Sequence, residues 1–121
     1  MSYESKVIIA QNYSSESKYH GIVAVLNLCC MGSDRGWKEL FNKPFSGEIY
    51  IENENEPTTE DKYGDALKWA TVREVYDWCI KHKTEEGKTY WRQELLESLL
   101  KTMLFELGER ANNLKVVHFG Y

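Results

Sequence analysis

Catalytic, metal-binding and nucleotide-binding signatures are what this chain of 121 residues lacks. Its glycine-bearing segment 32–36 reads Gly-Ser-Asp-Arg-Gly, which is neither GxxxxGK[ST] nor GxGxxG, so no phosphate-cradling fingerprint is present. Cysteine is scarce. Cys29 and Cys30 are adjacent and Cys79 is remote, and an odd count without a repeated spacing is no disulfide framework, so free thiols are expected. No apolar run approaches bilayer length, and Met1-Ser2-Tyr3-Glu4 lacks the basic start and apolar stretch of a secretory leader, which leads to the expectation of a cytoplasmic protein without a membrane partner. Basic charge is also short, with 15 Lys and Arg against 19 Asp and Glu. The net charge of −4 argues against direct nucleic-acid binding, which draws its affinity from clustered cations. No internal repeat or low-complexity tract occurs.

What is present is a change of hydrophobic period near the middle. An apolar fraction of 42% and a length suited to one core predict a single domain over 1–121. Strand-like segments occupy 6–13, 19–31 and 48–52, and another closes the chain at 114–121. The run 19–31 is apolar on both faces, with Ile22, Ala24, Leu26 and Leu28 on one side and Val23, Val25 and Cys29 on the other, which predicts the centre of the sheet. Segment 48–52 alternates cleanly and reads as an edge strand with one wet face. Between strands, Ser33 or Asp34 could cap a short helical turn through Trp37, Leu40 and Phe41, closed by Pro44.

Two amphipathic helices follow. The first, over about 65–82, carries Trp69, Val72, Val75, Tyr76, Cys79 and Ile80 on one stripe. The second, from a cap at Thr89 to about Ala111, carries Leu95, Leu96, Leu99, Leu100, Met103, Leu104 and Leu107, with Phe105 pointing away. Strands followed by helices make an α+β layer. The expected fold is an antiparallel sheet of about four strands, three N-terminal and one C-terminal, packed against two helices of the C-terminal half.

Several residues are candidates for function. Leu67 and Trp78 fall on the far side of the first helix, so they are either covered by another element or form a protein contact. The segment 48–65 holds seven acids against Lys62 alone. It reads first as a solvated loop leading into a helix through a Thr58–Asp61 capping box, then as an acidic patch, with Glu54 and Glu56, for a basic partner. The Asp-x-Asp-x-Asp-Gly order of a calcium loop is missing.

Arg35, Arg73, Arg92 and Arg110, with Trp37, Trp91 and Tyr90, have the chemistry to hold a small nucleotide at a subunit boundary, Arg92, Arg110 and Trp91 above all. The competing reading pairs each Arg with a carboxylate and buries each Trp. Cys79 and His82 have CxxH spacing on a helix, but a structural zinc needs four ligands and no second short-spaced pair exists. Neither a metal nor a cofactor is therefore expected. A thiol nucleophile would draw on Cys29 or Cys79 with His20 or His118.

Two helices cover only one face of such a sheet, while the strands are apolar on both. Leaving five or six large side chains wet would forgo on the order of 10 kcal/mol, which predicts a covering partner, most economically a second copy in a homo-oligomer. In size, acidity and lack of catalytic signatures the chain resembles the small single-domain proteins of phages and other mobile elements. That resemblance implies a counter-defence inhibitor that binds a host protein or sequesters a nucleotide signal. The sequence thus predicts a non-enzymatic binding protein; the alternatives are a small hydrolase or thiol enzyme and a structural assembly subunit.

Overall fold

The computed structural model describes residues 5–12, 14, 16–29, 36–51, 55–83 and 91–121. Its frame is a sheet of five antiparallel strands: β1 (Ser5–Asn12), β2 (His20–Cys29), β3 (Lys43–Pro44), β4 (Lys68–Ala70) and β5 (Leu114–Gly120), in the order β2-β1-β5-β4-β3. Three helices join them: α1 (Trp37–Leu40), α2 (Val72–Lys81) and α3 (Trp91–Leu107), the last running on into a 3₁₀ helix at Gly108–Asn113. The α+β class is as expected. Among the described residues no helix is long and apolar enough to cross a membrane.

The strands differ from expectation in two ways. β2 lies at an edge, and the C-terminal β5 takes the centre between β1 and β4. The burial pattern gives the reason: Val116, Val117 and Phe119 of β5 are buried on both faces, whereas Ile22, Val23 and Val25 of β2 are exposed. Segment 48–52 forms no strand in its described part; Glu48 makes an isolated bridge to Tyr19, and the short strands β3 and β4 raise the count to five.

The first helix starts later than its periodicity suggests. Residues Lys68–Ala70 are extended because they pair with His118, Val117 and Val116 of β5. Thr71 then caps α2: its hydroxyl accepts from the Glu74 N–H at 3.0 Å, and Glu74 Oε1 accepts from the Thr71 N–H at 3.1 Å. This capping box stands where Thr58 and Asp61 were expected to form one. Asp61 instead organises a turn, its Oδ1 accepting from Tyr63 and Asp65 N–H and its Oδ2 from Gly120 N–H.

The helix stripes are also narrower or rotated. In α2 the buried residues are Val72, Val75, Trp78 and Cys79, and Ile80 is exposed. In α3, Gln93, Leu96 and Leu100 are fully buried at i, i+3, i+7 spacing, whereas Leu95 is exposed.

Each face of the sheet has its own apolar cluster. On the helix side, Val7, Ile9, Leu28, Leu114 and Val116 meet Trp37, Phe41, Val72, Val75, Trp78, Leu96 and Leu100. On the other side, Ile8, Ala10, Val117 and Phe119 meet Ile49 and Leu67, with Phe45, Ile51 and Trp69 packed around them. The acidic connector thus supplies the second cover itself. The apolar residues of β1 and β5 are therefore covered on both faces within the subunit, and among the described strands β2 keeps a strip uncovered.

Candidate functional site

β5 carries His118 opposite Val7 of β1 and Lys68 of β4. Its ring lies 5.2 Å from Phe41 and 6.5 Å from Trp37, centroid to centroid, and is almost wholly buried. His118 Nε2 and Ser5 Oγ share a hydrogen bond of 3.0 Å. Burial dominates its protonation and lowers its pKa to about 4; the Asp61 carboxylate pulls the other way, and Lys38 adds to the lowering. The imidazole is therefore neutral near pH 7.

His118 forms part of an open cleft of about 590 Å³, lined also by Lys38, Phe41, Asn42, Asp61 and Lys68. A neutral imidazole can accept a proton, but with its pKa lowered to about 4 it is a weak base near pH 7. Ser5, however, is fully buried, so its hydroxyl stands behind the ring and is not presented to the cleft. The three backbone N–H groups on Asp61 make that carboxylate an anchor between the turn and the end of β5.

The proposed anion-binding residues do not come together within the subunit. Arg92 lies in the first turn of α3, where its Nη1 donates to the Asn27 carbonyl of β2 at 2.6 Å. Arg110 lies in the exposed 3₁₀ helix beyond the other end, roughly 25 Å away at 1.5 Å per residue. Trp91 is the first residue of α3, and its side chain lies outside the described part. Arg35 and Tyr90 are outside the described residues. Arg73 borders a different groove, of about 440 Å³, with Tyr76, Lys101 and Phe105.

Of the suggested protein-contact residues, Leu67 and Trp78 are buried, so the first of the two readings applies: another element covers them. Leu67 joins the helix-free cluster, and Trp78 packs edge-on against Trp37 at 4.8 Å and stacks on His82 at 4.4 Å. Glu56 is exposed in the connector, and Glu54 is outside the described residues. Cys79 is buried in the core, while His82 Nδ1 lies 2.9 Å from the Trp78 carbonyl. Among the described residues no group of three His, Cys, Asp or Glu is arranged to hold a metal.

The feature that sequence reasoning misplaced is the edge of β2. Ile22, Val23 and Val25 of β2, with Tyr19 just before it, are between 39% and 53% exposed, where a central position would have hidden them. The register against β1 shifts where Ile9 faces Ala24 and Ala10 faces Ile22, leaving Val23 as the extra residue. Each end of this strip is tied down. His20 N–H donates to the Glu48 carbonyl at 2.8 Å, and Arg92 holds Asn27 at the other end. From His20 to Asn27 the strand carries no Asp, Glu, Lys, Arg or Pro, so of the features that blunt a sheet edge it has the bulge at Val23 but neither charge nor proline. No family model, curated protein or solved structure matches this chain, so its site is read from its own geometry.

Proposed function

We propose that this chain is a non-enzymatic binding protein that recognises another polypeptide along the open edge of β2, and inhibits or sequesters what it holds. The observation that carries this reading is the ten-residue strand at the sheet edge, free of formal charge and displaying Ile22, Val23 and Val25 to solvent. Strand addition satisfies backbone groups and buries alternate side chains together, a recurring mode of peptide recognition. The alternative target, a nucleotide signal, has less support, because Arg92 lies in the first turn of α3 and Arg110 in the 3₁₀ helix beyond its other end. The counter-defence role rests on the resemblance in size and composition alone.

Native mass spectrometry of freshly purified protein tests the reading, since it reports bound polypeptide and bound small molecule together. The expected spectrum contains a polypeptide complex that disappears in a Val23→Lys/Val25→Lys variant and survives in Arg92→Ala and Arg110→Ala. A bound compound with nucleotide mass, lost in either Arg variant, would replace this reading with the pocket version.

A small hydrolase is a second reading, favoured by one observation: the Ser5–His118 hydrogen bond beside the cleft. Burial of Ser5 opposes it. Ester turnover that vanishes in a folded Ser5→Ala variant would establish it.

A further inference from the structure

We infer that the strand added to β2 is β2 of a second copy, paired antiparallel about a twofold axis normal to the sheet. This rests on the reading of β2 as the binding edge and names its occupant in the free protein, which a target strand would have to displace. Three features of the strand select a second copy over an unrelated peptide.

The first is self-complementarity. A twofold through Ala24 sets Val23 opposite Val25 of the other copy, and since the strip carries no Asp, Glu, Lys or Arg no like charges meet. The strip between the Glu48 and Arg92 ties is symmetric about that centre to within a residue, from Gly21 to Leu26. A peptide chosen for its charge would find no ion to pair with on this strand.

The second is continuity. β2 has β1 on one side, and among the described residues no strand pairs with the other. Adding a second copy joins the two five-stranded sheets into one of ten strands, and the open edges that remain are β3, each of only two residues. Short edges of this kind resist further addition, so the assembly closes at two instead of growing.

The third is area. A five- or six-residue strand pair spans roughly 20 Å and by itself falls short of the approximately 1,200 Å² that a stable interface requires. The twofold supplies the rest, because it leaves both helix layers on the same face. α3 touches β2 through Arg92, and Leu95, one turn further along the same helix face, is 46% exposed. α3 is thereby brought beside its copy, with Leu95 available to the contact. On the opposite face, exposed Val25 and half-exposed Tyr19, whose ring is tilted against Tyr50 at 6.3 Å, extend the patch.

Charge-swapped variants test this. Sedimentation equilibrium of the full chain is expected to give a dimer that does not grow with concentration. Val23→Lys/Val25→Lys and Val23→Asp/Val25→Asp are each expected to be monomeric with unchanged far-ultraviolet circular dichroism, since both positions already face solvent in the subunit. An equimolar mixture is expected to recover the dimer as a Lys–Asp heterodimer, identified by its mass. Should either charged variant fail to fold, the near-isosteric Val23→Thr/Val25→Thr change serves instead, with a higher dimer dissociation constant expected. A wild-type protein that stays monomeric at its highest attainable concentration overturns the second-copy inference. If that monomer still forms a complex with another polypeptide that the Lys variant loses, the binding reading stands without it; if it forms none, both fall. Charged variants that remain dimeric place the contact elsewhere and overturn the inference as well.

Discussion

Gly47 lies directly against the imidazole of His20, so close that a methyl group at position 47 would overlap ring atoms Cε1 and Nδ1. The same ring packs at 5.0 Å on Phe45, places its Nδ1 2.7 Å from the Lys18 carbonyl, and has Lys115 Nζ 3.3 Å from its Nε2. This junction ties the connector to the start of β2. It is why the connector crosses the helix-free face and covers it.

Gly47→Ala should therefore lift the connector from the sheet. The ring is held from several sides and has little room to yield, so overpacking of about 1–3 kcal/mol is expected. Denaturant unfolding measures the loss, and increased binding of a hydrophobic dye would report the opened cluster around Ile49. A change below a few tenths of a kcal/mol would show that the contact relaxes freely.

Protonation of His118 should destabilise the fold in acid. Its folded pKa, lowered by burial to about 4, lies below the ordinary value of 6.5, so the unfolded chain binds more protons between those two values. The stabilisation is complete above pH 6.5 and is lost as pH falls toward 4, to a total of about 3 kcal/mol at one kcal/mol and a third per pH unit. His20, whose pKa is also lowered, by burial and by Lys115, adds in the same direction. Unfolding free energies measured from pH 7 to 4 should fall less steeply in His118→Gln; an identical slope would place the acid sensitivity elsewhere.

Thr71→Ala removes the hydroxyl that caps α2 by accepting from the Glu74 N–H, and leaves the backbone N–H at position 71 able to donate to Glu74 Oε1. A loss of about 1 kcal/mol is expected. Glu74 also bonds Lys43 at 2.6 Å, linking α2 to β3, so Thr71→Ala should leave that ion pair in place. A double-mutant cycle with Lys43→Met checks this: additive losses mean that the cap and the ion pair act separately, and coupling means that they share Glu74.

Trp37 is fully buried, yet among the described residues its Nε1–H has no hydrogen-bond partner. An orphaned buried donor costs about 1–3 kcal/mol. Trp37→Phe removes that donor together with part of the ring packed on Phe41 and Trp78, and the two effects nearly cancel, leaving a change within about 1 kcal/mol. Trp37→Ala, which empties the site, should cost about 3–5 kcal/mol. Equal losses in the two variants by thermal or denaturant unfolding would refute the cancellation.

Much of the fold was legible in local pattern. β1, β5 and the body of α3 announce themselves by period, and β5 returns to pair with β1. α2 was legible as a helix, but its start was not. Trp69 and Ala70 fit the helical stripe equally well until β5 claims their backbone groups, and the Thr71–Glu74 box was overlooked for a weaker one at Thr58. Side-chain chemistry carries no distance: Arg92 lies in the first turn of α3 and Arg110 in the 3₁₀ helix beyond its other end, so the two do not meet within the subunit.

By itself the sequence determined that strands and helices would segregate into an α+β layer, and that a stretch from His20 to Asn27 would have no charge with which to face water, because period and composition are local properties. The tertiary structure decided which strands were covered. Burial depends on neighbours distant in the chain: β5 enters the centre of the sheet and displaces β2 to the rim, and Phe45, Ile49 and Leu67, drawn from an otherwise acidic connector, close the face that the helices leave open.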